Sequence, residues 1–169
     1  MTGARASRVF VSVGSNIGDR SAYLRAAEAA LAALPATSVV AASRVYETAP
    51  QDYEDQETFL NQVLCLETGL EPRDLLAECQ RIEREHGRSR ELRFGPRTLD
   101  VDILLFQDVE SDDSELTLPH PRMLKRAFVL VPLAEVWEHA RGMTELDVEG
   151  LARATARSQQ VRLYDATEG

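Results

Sequence analysis

The order of apolar patterns along the chain predicts an α+β fold, with helices packed on an antiparallel sheet. Three observations lead there. Runs of period two alternate with runs of period 3.6. Two of the extended runs follow one another with only a polar stretch between them. Proline and glycine stand at the expected boundaries. Ser7 to Val13 alternates around Val9, Val11 and Val13 and predicts the first strand. Gly14-Ser15-Asn16-Ile17-Gly18-Asp19 is rich in turn formers and predicts a tight strand-to-helix turn. Leu24, Ala27, Leu31 and Leu34 recur about once per turn, predicting a helix that Pro35 stops. Val39 to Thr48 is β-branched and predicts the second strand, and acidic Pro50 to Gln56 predicts a loop. Phe59 to Thr68 predicts the third strand, with Phe59, Asn61, Val63 and Cys65 on one face. Pro72 opens a helix with the stripe Leu75, Leu76, Cys79 and Ile82, which Gly87 ends. Leu99 to Phe106 predicts a further strand, and Gln107 to Glu115, with five acids, a solvated loop. Phe128 to Val136 is apolar and predicted to be buried, and Thr144 to Arg157 predicts an amphipathic helix. The resulting β-α-β-β-α-β order is the ferredoxin-like signature, here with C-terminal additions.

The 169 residues predict a single domain, spanning 1–169, that buries roughly two-thirds of the surface its unfolded chain exposes. With 19 basic and 28 acidic residues the formal charge is -9, which argues against a general nucleic-acid binder. No apolar run reaches the roughly 18 residues of a membrane-spanning helix. The N-terminal residues run straight into a strand, with no signal-peptide core. Cys65 and Cys79 fall inside periodic apolar segments and are expected to be buried thiols of a cytoplasmic protein.

The most informative segment runs from Arg93 to Phe106. In a strand, Asp100 and Asp102 point to one face, roughly 6.5–7 Å apart, while Leu99, Val101 and Ile103 point to the other. Two carboxylates this close repel each other, and a strand interior disfavours aspartate. A hard divalent cation shared with substrate phosphates offsets that cost, with Mg²⁺ the usual case. Pairing with nearby arginines is the plainer alternative. Arginine is abundant there: Arg81, Arg84, Arg88, Arg90, Arg93 and Arg97 fall within 17 residues. The guanidinium fork donates two parallel hydrogen bonds, which suits phosphate. Arg81 and Arg84 have Glu78 and Glu85 for neighbours and fit a solvated helix face; Arg88, Arg93 and Arg97 lie in an aperiodic loop. His120 stands between Pro119 and Pro121, where a fixed histidine can donate to a phosphate, although a lone histidine is more often structural. His86 and His139 are expected to be structural. Gln80 and Glu83 share a helix side just off the apolar stripe. Asn61 shares a strand face with Phe59, and a carboxamide beside an aromatic ring is one way to bind a flat heterocycle.

Taken together, these stretches resemble the 6-hydroxymethyl-7,8-dihydropterin pyrophosphokinase family. The resemblance is carried by Val11-Ser12-Val13-Gly14-Ser15-Asn16, Val45-Tyr46-Glu47-Thr48, Phe59-Leu60-Asn61, Gln80-Arg81-Ile82-Glu83, Arg93 through Asp102, and Leu118-Pro119-His120-Pro121. It covers about residues 8–137. It implies transfer of the pyrophosphoryl unit of ATP to the hydroxymethyl group of the pterin, with release of AMP. It further implies that Asp100 and Asp102 bind two Mg²⁺ ions, that Arg88, Arg97 and His120 contact phosphates, and that Arg93 lies in a closing loop. Arg88 and Arg97 would share the catalytic work with the two acids. Gln80, Glu83, Thr117 and Arg126 would line the nucleotide site. Phe59 and Phe128 would sandwich the pterin, with Thr48, Pro50 and Asn61 at its edge and Gly14 letting backbone approach. Phe59 stands where the family often has Tyr, and Phe94 where it often has Trp. The resemblance implies a monomer acting on ATP and the pterin, and the acidic charge and short apolar runs predict no nucleic-acid or membrane partner. Two other readings remain open at this point: a different Mg²⁺-dependent nucleotide hydrolase or transferase, and a non-catalytic nucleotide-binding module.

Overall fold

The computed structural model describes residues 6–48, 58–87 and 98–164. In chain order the elements are β1 (Ser7–Ser15), α1 (Arg20–Ala32), β2 (Thr37–Ala42), β3 (Tyr46–Thr48), β4 (Phe59–Thr68), α2 (Pro72–Glu85), β5 (Asp100–Phe106), β6 (Ser111–Asp113), β7 (Leu116–Leu118), α3 (Ala127–Glu135), α4 (Val148–Ala156) and β8 (Val161–Leu163). Asp19 caps α1 through a bond to the Ala22 N–H, as a short acid at that position should. Gly87 takes a φ of +79° just beyond α2, where a side chain would be strained.

The main sheet runs β5-β1-β4-β3-β8, with β2 also paired to β4, and every pairing is antiparallel. The β-α-β-β-α-β core is therefore present. The second strand expected over 39–48 is two strands laid end to end along β4. They break at Ser43, whose Oγ accepts from the Val63 N–H at 2.9 Å while its N–H donates to the Val63 carbonyl. A buried hydroxyl replaces part of the ladder there. β1 continues through Gly14 and Ser15, so the predicted turn begins later, at Asn16. The acidic stretch 107–115, expected to be a loop, contains β6, which pairs with β7 in a small hairpin. The predicted C-terminal helix is shorter than 144–157, because Asp147 caps it through the Gly150 N–H.

Two apolar clusters sandwich the sheet. Val9, Val11, Val13, Leu60, Leu64, Val101 and Ile103 meet Leu24, Ala27 and Leu31 of α1 and Leu75, Cys79 and Ile82 of α2. On the opposite face Phe10, Val63, Cys65 and Leu104 meet Val129, Leu130 and Leu133 of α3 and Val148 and Ala152 of α4. Both faces are thus covered, which explains the near-continuous apolar run of β1. Both cysteines are buried free thiols, as expected. Among the described residues no helix is long and apolar enough to cross a membrane.

Candidate functional site

The face that carries α3 and α4 is apolar only along part of the strands. Cross-strand register shows what occupies the rest. Gly14 of β1 lies opposite Asp100 on one side and Asn61 on the other, and Asn61 lies opposite Tyr46. One step along, Ser12 lies between Asp102 and Val63. One step the other way, Phe59 lies opposite Thr48. Directly opposed residues share a face, with Cα atoms roughly 4.5–5.5 Å apart. The sheet therefore gathers Asp100, Asp102, Ser12, Gly14, Asn61, Tyr46, Phe59 and Thr48 into one polar field.

Asp100 and Asp102 sit on edge strand β5, Asp100 half-buried and Asp102 exposed, while Leu99, Val101 and Ile103 point into the core as expected. Between the acids, the Val101 N–H points away from β1 and donates to Glu83 Oε2 at 2.9 Å. Glu83 is only 4% exposed. Its position beside the apolar stripe of α2 makes it an anchor for the acid-bearing strand, a role the sequence did not show. Gln80, one turn earlier, is half-buried.

Asn61 is also 4% exposed, and its Nδ2 donates to Thr48 Oγ1 at 3.4 Å. The carboxamide lies over Gly14: a Cβ there would stand 2.6 Å from Asn61 Oδ1 and 3.5 Å from the Leu60 carbonyl oxygen. The glycine is thus required by the side chain that packs on it. Relief of that clash requires Asn61 to turn away. Gly14→Ala is accordingly expected to leave the fold intact and, if this group binds the flat heterocycle expected from the sequence, to weaken that binding about tenfold, since a polar group is displaced; calorimetry on the variant checks this. Phe59 is half-buried and belongs to neither apolar cluster, so its ring is not consumed by the core.

The third group enters from the segment between β7 and α3. The His120 N–H donates to the Leu104 carbonyl at 2.8 Å, which ties the histidine to β5 two residues beyond Asp102. Its Nδ1 accepts from the Arg122 N–H at 3.2 Å, so the proton of the neutral ring resides on Nε2, available as a donor. Burial, then the charges of Arg126 and Arg122, hold the imidazole below its usual value of 6.5. The unfolded chain consequently binds this proton more readily than the folded one. The stability this contributes is present above the ordinary histidine value and lost as pH falls through the lower folded value. Replacing His120 by Asn is expected to flatten the loss of melting temperature between about pH 7 and pH 5. Parallel losses in wild type and variant would contradict that assignment.

Arg126 stands over the Phe128 ring, its Cζ 5.3 Å from the centroid, and Phe128 packs against the α3–α4 cluster at half-burial. Thr117 is half-buried and its hydroxyl donates to the Asp113 carbonyl at 3.0 Å, which closes the β6–β7 hairpin. Pro50, Arg88, Arg93 and Arg97 lie outside the described residues. Arg81 pairs with Glu78 and Glu85 at 2.7 and 2.8 Å, the solvated helix face expected of it. Sequence reasoning passed over Ser12, although it shares the alternation of Gly14. It also passed over Glu135, which accepts from the Tyr46 hydroxyl and binds Arg44 at 2.9 Å where β2 gives way to β3.

Among the described residues, no group of three or more His, Cys, Asp or Glu could hold a metal unaided. Two carboxylates with only oxygen-bearing or absent side chains opposite them form a hard donor set. That set suits Mg²⁺, which takes one or two carboxylates and completes its shell with water and phosphate oxygens.

Residues 10–138 match the sequence model of a family described as 7,8-dihydro-6-hydroxymethylpterin-pyrophosphokinase. A Bacillus subtilis 2-amino-4-hydroxy-6-hydroxymethyldihydropteridine pyrophosphokinase is 48% identical over 145 residues, covering 84% of this chain and 87% of the relative. Its Pseudomonas aeruginosa counterpart of the same name is 48% identical over 129 residues, covering 76% and 80%. In fold, the chain is similar to Plasmodium falciparum HPPK-DHPS with pteroate, at a TM-score of 0.67 and 13% identity, over 93% of this chain. This chain spans 44% of that longer protein.

Proposed function

Because the chain belongs to the 7,8-dihydro-6-hydroxymethylpterin-pyrophosphokinase family, we propose that its polar sheet face performs the transfer for which the family is named. The chain is a pyrophosphokinase of folate biosynthesis: it moves the terminal pyrophosphoryl unit of ATP to the hydroxymethyl oxygen of 6-hydroxymethyl-7,8-dihydropterin and releases AMP. The observation that carries the assignment of roles is the register of β5, β1, β4 and β3, which sets the acid pair beside the Gly14–Asn61–Phe59–Thr48 group.

In this reading Asn61 and Thr48 recognise the edge of the pterin, and Phe59 offers one ring face for stacking while Phe128 offers the other. Gly14 keeps the floor open. Asp100 and Asp102 would hold Mg²⁺, with two ions expected, and the metal would supply charge neutralisation for the triphosphate and lower the proton affinity of the alcohol. His120 donates through Nε2 to a phosphate oxygen. Arg126 holds the nucleotide side, and Gln80, Glu83 and Thr117 border the nucleotide. Arg88, Arg93 and Arg97 supply the remaining phosphate donors. Positioning and charge neutralisation carry such a transfer, with little covalent work for side chains. A monomer is the working unit that the family resemblance implies. A cytoplasmic location fits two buried cysteines that form no disulfide.

Incubation with ATP, Mg²⁺ and hydroxymethyl-dihydropterin should yield AMP and pterin diphosphate in equal amounts by chromatography. Release of ADP or inorganic phosphate irrespective of the pterin would point instead to a nucleotide hydrolase, and ATP binding without turnover to a non-catalytic module.

A further inference from the structure

The C-terminal segment after residue 138 lies beyond the stretch that matches the family model, yet it reaches back to the proposed pterin pocket at two places. The first is Gln159. Its Oε1 accepts from the Ala127 N–H at 2.8 Å and its Nε2 donates to the Lys125 carbonyl at 2.8 Å. The single side chain thus straddles Arg126. A backbone N–H is only a donor and a carbonyl only an acceptor, so the orientation of the carboxamide is set by its partners. The second is β8, where Val161 pairs with Thr48 and Leu163 with Tyr46.

The bridge meets a specific need. Ala127 is the first residue of α3, and the residue before it, Arg126, is extended with no side-chain cap. The first N–H groups of a helix have no partner within it. Here the partner comes from beyond α4, where the Gln159 N–H donates to the Thr155 carbonyl and so anchors the residue to the end of that helix. α4 in turn packs on α3 through Val148 and Ala152. The helix start that presents both Arg126 and Phe128 is therefore held from a separate element.

We propose that Gln159 is a positioning residue for the pterin pocket, fixing the start of α3 so that the Phe128 ring faces the substrate. This rests on the function proposed above. Loss of the bridge frees the turn that aims the ring, and small displacements of a positioned group weaken binding disproportionately.

The test is steady-state AMP release by the full chain, with pterin and ATP varied separately. The variants are Gln159→Ala, Gln159→Glu, Phe128→Ala and the double variant Gln159→Ala/Phe128→Ala, with melting followed by circular dichroism. Gln159→Ala should raise the pterin KM about tenfold with kcat within about threefold of wild type. Gln159→Glu keeps the acceptor for Ala127 but loses the donor to Lys125, and should fall between. In the Phe128→Ala background the Gln159 change should add less than about twofold, because the ring it aims is gone. If Gln159→Ala melts below the assay temperature, Gln159→Glu carries the same comparison. A lower melting temperature with an unchanged pterin KM would overturn the proposal, as would additive losses in the double variant. A wild-type chain without pterin-dependent AMP release, or a Phe128→Ala variant with unchanged pterin KM, would remove the underlying pterin reading and this inference with it.

Discussion

Asp100→Asn and Asp102→Asn should each lower AMP release by roughly a thousandfold, with melting temperatures close to wild type. The size follows from the proposed role: removing one preorganised electrostatic partner of a developing charge costs about 10²–10³ in rate, and a carboxylate holding a neutralising cation would serve both the attacking and the leaving oxygens. The stability expectation follows from placement. Asp102 is exposed and Asp100 half-buried, and the core side of β5 is filled by Leu99, Val101 and Ile103. Amide for carboxylate preserves shape and relieves repulsion between neighbouring charges. Titration with Mg²⁺ should show the requirement shifting to higher concentration in each variant. A double variant that turns over near the wild-type rate would sink the assignment of the acids.

Asn61→Ala should weaken pterin binding by about one to two orders of magnitude and ATP binding by much less. A site built to hydrogen-bond its ligand loses heavily when one polar partner is removed. Asn61 is buried, and among the described residues its carboxamide bonds one side chain, Thr48. Its carboxamide therefore keeps capacity for the edge of a heterocycle. Calorimetry with each ligand separately measures the difference. Equal losses for both would mean that Asn61 supports the sheet in general, not the pterin subsite. Gly14→Ala reaches the same carboxamide from below, through the 2.6 Å clash. The two changes should therefore combine to less than the sum of their effects.

Much of the architecture was legible because it rests on local rules. Phe59–Thr68 emerges with the predicted bounds and faces, since alternation in a half-buried strand leaves few alternatives. Pro72 and Gly87 bound α2 for reasons contained within each residue. The misread segments are those where tertiary partners prevail. Acidic 111–113 forms a strand because 116–118 is there to pair with it. The second strand breaks at Ser43 because a hydroxyl can satisfy the Val63 N–H in place of backbone.

The same division runs through the site. Identity and spacing of Asp100 and Asp102, and the core-facing residues that alternate with them, were set by the sequence, because the two-residue period of a strand is a local property of the backbone. Which groups would face those acids was not. That Gly14 lies between Asp100 and Asn61, that Glu83 holds the strand from beneath, and that Gln159 secures the start of α3 all follow from register and packing between segments far apart in the chain. Hydrogen bonds between distant elements leave no periodic trace in the residues that make them, so only the folded chain decides them.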